Sequence, residues 1–437
     1  MNLFTDVNEF IKWVESRSRF SRKVSLDNMR YFTSLFDHPE NKFNSIHITG
    51  TNGKGSTVSY LKNIYLKQKL NVATFTSPYI VCFNERITYN NEFISDENLL
   101  KYANVIISKY DEIESSNYEL PTFFEFITLL AFLYFADLKD LDLAIIEVGI
   151  GGRLDATNVI NPICSVITNI GFDHMNQLGS NKESILNEKL GIVKNNSLFV
   201  TSIKEHNLLD IANDKCNQMN TTFKKVDFES LKIKKLDLDS SVFSYKGYRD
   251  VEIKLLGKHQ IENACLVIEI VETLNNYFKN KKSTFVVSNE ILYEGLINTT
   301  WPGRLECVSK EPLIYIDGGH NIDCINRVCE FVKSLNLSKS RVIVSISNDK
   351  DKAKMINKID DTFDEIVFTK FTYQRSASSD ELFELSKSNN KIMFSNIIDT
   401  VKYSFDNPCE FTLFLGSLYL VSEIRPLIIN QKELVNS

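Results

Sequence analysis

No stretch of this 437-residue chain is apolar for long enough to cross a bilayer. The longest, 126–136 and 411–421, fall well short of the roughly 20 residues a spanning helix needs, and read as core elements. Basic charge is not in excess either: 50 Lys and Arg face 56 Asp and Glu, a formal charge of -6. A general nucleic-acid binder is thereby disfavoured, because no surplus cation neutralises phosphates. The eight cysteines, at 82, 164, 216, 265, 307, 324, 329 and 409, lack Cys-x-x-Cys spacing and the density of a secreted disulfide scaffold, and are expected to be reduced thiols in a cytoplasmic protein. Asp6, Glu9, Lys12, Glu15 and Arg17 interrupt the segment where a secretory signal would need an unbroken apolar run, so no export is expected. Internal repeats and low-complexity tracts are missing too. What is present is ordinary globular material, 43% hydrophobic and 24% charged, in a chain long enough for two domains.

Short β-rich runs alternate with longer helical ones, the signature of βαβ units and a mainly parallel sheet. Strands are expected at 45–49, 72–76, 141–148 and 164–170, with a buried helix at 122–138. Residues 220–256 break into short Lys/Asp-rich alternations that suggest a small β subregion, and helical spacing resumes over 259–278. Loop-forming residues cluster at Asn298-Thr299-Thr300-Trp301-Pro302-Gly303. Strand and helix alternation then restarts at 313–316 and 322–335, which places a boundary between domains 1–298 and 299–437.

The run His47-Ile48-Thr49 leads into Gly50-Thr51-Asn52-Gly53-Lys54-Gly55-Ser56-Thr57 and then into a helical pattern. Strand, glycine loop and helix in that order cradle phosphate oxygens with backbone N–H groups, while the helix start and the Lys54 ammonium supply positive charge. A nucleoside triphosphate is the natural ligand. The common spacing fails in detail, since Ile48 stands where the first glycine is usual and Gly55 follows the lysine; an ordinary glycine turn is the competing reading. Glu147 closes the apolar run 141–146, and Ser77 and the pair Asp173-His174 follow the runs 72–76 and 166–170, all at the strand ends where ligands bind in open α/β sheets. A carboxylate and a hydroxyl suit magnesium. A hydrogen-bonded structural imidazole remains open for His174.

With these blocks, the chain resembles the folylpolyglutamate synthase and dihydrofolate synthase family, relatives of the cell-wall Mur ligases. The resemblance spans nearly the whole sequence through His47 to Ser56, Thr76-Ser77-Pro78-Tyr79, Phe83-Asn84-Glu85-Arg86-Ile87, Glu147 to Asn158, Asp173-His174, Glu188-Lys189-Leu190-Gly191-Ile192, His259 to Ala264, Trp301 to Glu306 and Asp317-Gly318-Gly319-His320-Asn321. It implies a P-loop nucleotide-binding domain with a mainly parallel sheet, followed by a smaller Rossmann-like C-terminal α/β domain. The implied activity joins L-glutamate to a folate or dihydropteroate carboxylate at the expense of ATP. Thr51, Asn52, Gly53, Lys54, Gly55, Ser56, Asn263, Arg304 and Asp317 match nucleotide-binding positions. Ser77, Glu147, His174 and Lys189 match ligands of two magnesium ions, with Lys189 carbamylated so that it offers an oxygen donor. Lys54, Lys189, Asp317 and His320 take catalytic roles in that reading, His320 by binding or deprotonating glutamate. Phe124, Arg153 and Asp155 are the candidates for the pterin. A monomer without nucleic-acid or membrane partners is expected.

Taken alone, several of these residues also read plainly: Lys189 as a solvated helix lysine, Phe124 as a core ring, Asn263 as a helix-surface amide, Arg304 as half of a surface ion pair and Asp317 as a capping aspartate. Tyr79, Leu190, Gly319 and Ile322 depart from residues frequent in the family, and none of these departures removes a proposed ligand. Two other functions remain in view: a Mur-type ligase for another acceptor, and a P-loop switch that hydrolyses nucleotide without ligating anything.

Overall fold

The computed structural model describes residues 3–18, 25–281 and 283–430. They fall into two compact units, Met1–Glu229 with Glu262–Asn298, and Ser230–Ile261 with Thr299–Ser437. A single boundary after residue 298 does not describe this division, because 230–261 groups with the later segment. The reason is packing. Leu236, Leu238 and Leu256 join the core formed by Leu305, Tyr315, Val342 and Phe411, and the Tyr315 hydroxyl donates to the Leu238 carbonyl at 3.0 Å.

The first unit is built on an eight-stranded sheet. Its strands are β1 (Ser45–Thr49), β2 (Val72–Phe75), β3 (Ile87–Tyr89), β4 (Glu92–Phe93), β5 (Leu143–Glu147), β6 (Cys164–Ile167), β7 (Leu198–Thr201) and β8 (Thr222–Lys225), in the spatial order β4-β3-β2-β5-β1-β6-β7-β8. Six of them run parallel, from β2 across to β8, while β3 and β4 pair antiparallel at one edge. Every residue of β1, β5, β6 and β7 is buried, as expected of aliphatic strands covered on both faces. From β1 the chain passes to one side to form β2 and β5, and to the other to form β6. The C-terminal end of β1 is therefore a point where the winding reverses, and the crevice outside such a point is where open α/β sheets bind ligands.

Helix Phe123–Asp137 is apolar on all sides and correspondingly buried. It starts where it does because Thr122 and Glu125 form a reciprocal cap: the Thr122 N–H donates to Glu125 at 2.9 Å and the Glu125 N–H to the Thr122 hydroxyl at 3.3 Å. Phe126 of this helix meets the Trp13 and Phe10 rings of helix Val7–Glu15 at 5.4 and 5.8 Å. On the loop side, helix Lys54–Lys67 is packed so closely by helix Asn289–Ile297 that a Cβ on Gly295 would stand 2.7 Å from the Ile64 Cα.

The second unit holds a three-stranded antiparallel sheet of β9 (Lys232–Leu236), β10 (Ser241–Tyr245) and β11 (Tyr248–Ile253), where the small β subregion was expected. Beside it lies a six-stranded sheet of β12 (Glu306–Lys310), β13 (Leu313–Asp317), β14 (Ser340–Val344), β15 (Glu365–Phe368), β16 (Lys391–Met393) and β17 (Phe411–Leu415). The order is β12-β13-β17-β14-β15-β16, parallel but for β12. Helix Ile322–Ser334 follows β13, its start fixed by the Asn321 side chain, which accepts from the Cys324 N–H at 2.9 Å. Among the described residues no helix is long and apolar enough to cross a membrane.

Candidate active site

The loop after β1 is held from two sides. Gly53 adopts the left-handed φ of +82°, and a Cβ there would lie 2.5 Å from the Asn263 Oδ1, so glycine is required both by the backbone and by the amide packed on it. From β6, the Thr168 hydroxyl and the Asn169 amide both donate to the Asn52 carbonyl, at 2.6 and 3.0 Å. Asn169 returns two acceptors, its carbonyl to the Thr51 N–H at 3.1 Å and its Oδ1 to the Asn52 N–H at 3.0 Å. The expected strand 164–170 consequently stops at Ile167, because Thr168 and Asn169 turn to the loop. Helix Lys54–Lys67 begins directly after Gly53, so Lys54, Gly55 and Ser56 form its first turn, where N–H groups and the positive helix end face an anion. The Lys54 ammonium folds back over the loop, 3.1 Å from the Gly50 carbonyl and 3.4 Å from that of Thr51.

Parallel neighbours deliver acids to the same edge. Glu147, the last residue of β5, lies with one carboxylate oxygen 4.0 Å from the Lys54 ammonium and accepts the Ser77 N–H on the other at 3.2 Å. Ser77, just past β2, thus brings a hydroxyl-bearing residue against a carboxylate, a pair of hard oxygen donors that fits magnesium. Lys189 lies in the last turn of helix Lys182–Leu190 and is 3% exposed, which overturns the reading of a solvated lysine. Burial first, and repulsion from Lys54 second, push its amine down to about 7, while Asp173 and Asp155 act against that shift. As an amine it is no useful magnesium ligand; its deprotonated fraction, substantial near neutral pH at that value, is nucleophilic. His174 sits in a left-handed turn with its Nε2 4.0 Å from the Asp173 carboxylate and its ring partly exposed. Among the described residues no three His, Cys, Asp or Glu side chains gather into a metal cage; a hard cation at this edge would need Ser77 and Glu147 together with further oxygen donors.

The pterin candidates separate. A Cβ on Gly149 would stand 2.7 Å from the Phe124 ring and 3.1 Å from the Asp155 carboxylate, so this glycine brings the two residues together. Phe124 is only partly buried, its ring 5.8 Å from that of Phe75. Asp155 is buried, which raises its carboxyl, and hydrogen bonds from Thr157, Ile150 and Gly149 pull the other way. Arg153 instead turns to Glu188, which accepts from its guanidinium at 2.8 and 3.2 Å.

In the second unit, Asp317 closes β13 and is buried. Its two oxygens accept the N–H groups of Leu305 and Gly319 at 2.9 and 2.7 Å, burial raises its carboxyl, and Arg304 opposes that. Arg304 donates to the Gly303 carbonyl at 3.0 Å. The His320 Nδ1 lies 2.9 Å from the Gly318 carbonyl, and the residue is partly exposed. Sequence reasoning missed the clamp formed by Thr168 and Asn169. The available signal was a polar pair directly after an apolar strand.

Known proteins share the sequence and the architecture of this chain. The Mur ligase middle domain matches residues 48–271. A Bacillus subtilis protein named dihydrofolate synthase/folylpolyglutamate synthase is 36% identical over 97% of this chain and 99% of its own. The crystal structure of a Thermotoga maritima folylpolyglutamate synthase superposes with a TM-score of 0.84 at 28% identity, covering 97% of each chain. An FPGS–AMPPCP complex gives a TM-score of 0.82 at 27% identity, covering 97% of this chain and all of the other.

Proposed function

The chain belongs to the folylpolyglutamate synthase/dihydrofolate synthase family of the Mur-type ligases, and from that premise we propose that it joins L-glutamate to folates with consumption of ATP, accepting both dihydropteroate and tetrahydrofolate. The observation that carries this reading is that Lys54, Glu147 and the Phe124–Asp155 pair meet at one end of neighbouring parallel strands.

A carboxylate resists an amine because oxide is a prohibitive leaving group. The acceptor's carboxylate oxygen therefore attacks the γ-phosphorus of ATP, the bond to the bridging oxygen breaks, and ADP departs. The α-amine of glutamate then attacks the carbonyl of the resulting acyl phosphate. Phosphate leaves with the bonding pair, and the nitrogen loses a proton to give the amide. For the first step the chain's work is positioning and charge. Residues 51–56 orient the phosphates through backbone N–H groups, and Lys54 offsets the charge that grows on the transferring group. Asn263, packed on Gly53, contacts the nucleotide. In the second unit, Arg304 and Asp317 are assigned to ATP and His320 to binding or deprotonating glutamate. Phe124 stacks on the pterin, and Asp155 accepts from its amino-pyrimidine N–H groups. Arg153 serves the acceptor's carboxylate only if it leaves Glu188.

Ser77, Glu147, His174 and carbamylated Lys189 would hold two magnesium ions, which supply neutralisation of phosphate charge. The carbamate forms when the buried Lys189 amine attacks carbon dioxide, making an N–C bond and releasing a proton. Burial favours this by lowering the proton affinity of the amine. The reaction requires no macromolecular partner, and a cytoplasmic location suits its small-molecule substrates.

The test is ADP release with ATP, magnesium and labelled glutamate, offering dihydropteroate and tetrahydrofolate in turn. Turnover should need both glutamate and an acceptor, and each acceptor should become labelled. ATP hydrolysis indifferent to both would make the protein a switch, and labelling of one acceptor alone would reduce two activities to one.

A further inference from the structure

His47 lies in the middle of β1 and is fully buried, yet it takes no part in the steps above. Its Nε2 is 2.8 Å from the Thr157 hydroxyl, its Nδ1 has no hydrogen-bond partner, and burial depresses its basicity to about 3, so the ring is neutral. Thr157 in turn donates its hydroxyl hydrogen to Asp155 Oδ1 and its backbone N–H to the same oxygen at 3.0 Å. The second oxygen, Oδ2, accepts the Ile150 N–H at 3.1 Å and lies beside Gly149, facing the position of Phe124.

The directions of these bonds are fixed by counting hydrogens. Asp155 Oδ1 already accepts the Thr157 N–H, and in its ionised form the carboxylate has no hydrogen to give, so the Thr157 hydroxyl donates to it. A hydroxyl has a single hydrogen, so Thr157 has none left for His47. The contact at 2.8 Å is then a hydrogen bond only if His47 carries its proton on Nε2, leaving bare Nδ1 as the atom without a partner. With the opposite tautomer, Thr157 would face two acceptors with one hydrogen, and Asp155 would have to take up a proton or turn away. A buried polar chain of this kind holds a single arrangement because each alternative leaves a group unsatisfied.

We propose that His47 is a positioning residue for acceptor recognition: its Nε2–H commits the Thr157 hydroxyl to Asp155 and so keeps that carboxyl group oriented toward a cyclic amidine-like N–H edge, such as the amino-pyrimidine of a pterin. The proposal rests on the reading of Asp155 as an acceptor-binding residue, deepening it by two further side chains.

The experiment compares Asp155→Asn, Thr157→Val, His47→Leu and His47→Gln in the full chain, measuring kcat and the KM for dihydropteroate, ATP and glutamate separately, with thermal melting of each variant. Gln places a donor nitrogen close to where the imidazole Nε2 stands, so His47→Gln is the conservative replacement. Thr157→Val and His47→Leu should raise the acceptor KM by about fivefold or more, the worth of one hydrogen bond, while the KM for ATP and glutamate stay put. His47→Gln should return the acceptor KM to within about twofold of the parent. Thr157→Val keeps the shape of the side chain, so it remains informative if His47→Leu does not fold. Imidazole nitrogen shifts in the parent should report the Nε2–H tautomer. If Asp155→Asn alone raises the acceptor KM, or if Gln is no better than Leu, His47 merely fills the core. If Asp155→Asn leaves the acceptor KM untouched, the assignment of Asp155 itself falls, a separate failure.

Discussion

Single side chains near the sheet edge work under constraints that their neighbours set. Lys54 illustrates this: carbonyls of its own loop at 3.1 and 3.4 Å and Glu147 at 4.0 Å hold its ammonium over the glycine loop. Lys54→Met keeps the length and removes the charge. It should lower kcat by about 100-fold, the usual loss when one charge-stabilising group is removed from a transition state, with the circular dichroism spectrum unchanged. A fall smaller than about threefold in the ADP-release assay would leave Lys54 a structural residue. Lys189 was the residue least legible in the sequence, since a lysine in a charged helix is normally solvated. Only its place between the loop lysine and two aspartates, formed by contacts distant along the chain, gives it a different character.

At the scale of elements, the joint between β1 and helix Lys54–Lys67 is the most constrained part of the first unit. Gly53→Ala would force a side chain into the left-handed region and into Asn263 at once. We expect nucleotide affinity to drop at least about tenfold, read by titration with an ATP analogue, and the melting temperature to fall by a few degrees, since one side chain at left-handed φ costs about 1–3 kcal/mol. The strands, the glycine loop and the buried helix were legible because each rests on local pattern: aliphatic runs, turn chemistry and the all-round apolar repeat of 122–138. β8 was not. It reads as the start of the polar β subregion, but its edge position lets Lys224 and Lys225 face solvent while it pairs with β7. The partner of Arg153 was not legible either, for Glu188 is 35 residues away and nothing in the glycine-rich run announces that ion pair.

For the whole molecule, the buried His47 makes stability depend on pH in a definite direction. Its folded value of about 3 lies below the ordinary 6.5, so under mildly acid conditions the unfolded chain binds a proton that the native chain refuses. Stability is full above pH 6.5 and falls as the pH drops toward 3, by about 1.4 kcal/mol per unit for this group. Urea midpoints at pH 7 and pH 5.5, a window above most carboxylate titrations, should show this loss. His47→Gln should remove that part of it, and an identical pH slope in the variant would contradict the assignment. The division into units was the hardest feature to foresee, because 230–261 belongs by packing to leucines and aromatics that follow only after residue 299.

That interrupted connectivity has a consequence for biosynthesis. The amide over Gly53 and the helix braced against Ile64 both arrive after a detour into the other unit. A ribosome must release nearly the whole stretch to Asn298 before the glycine turn gains its last supports. Until then the nascent polypeptide exposes apolar surface to chaperones and proteases, and a truncation after Glu229 would leave that vulnerability permanent.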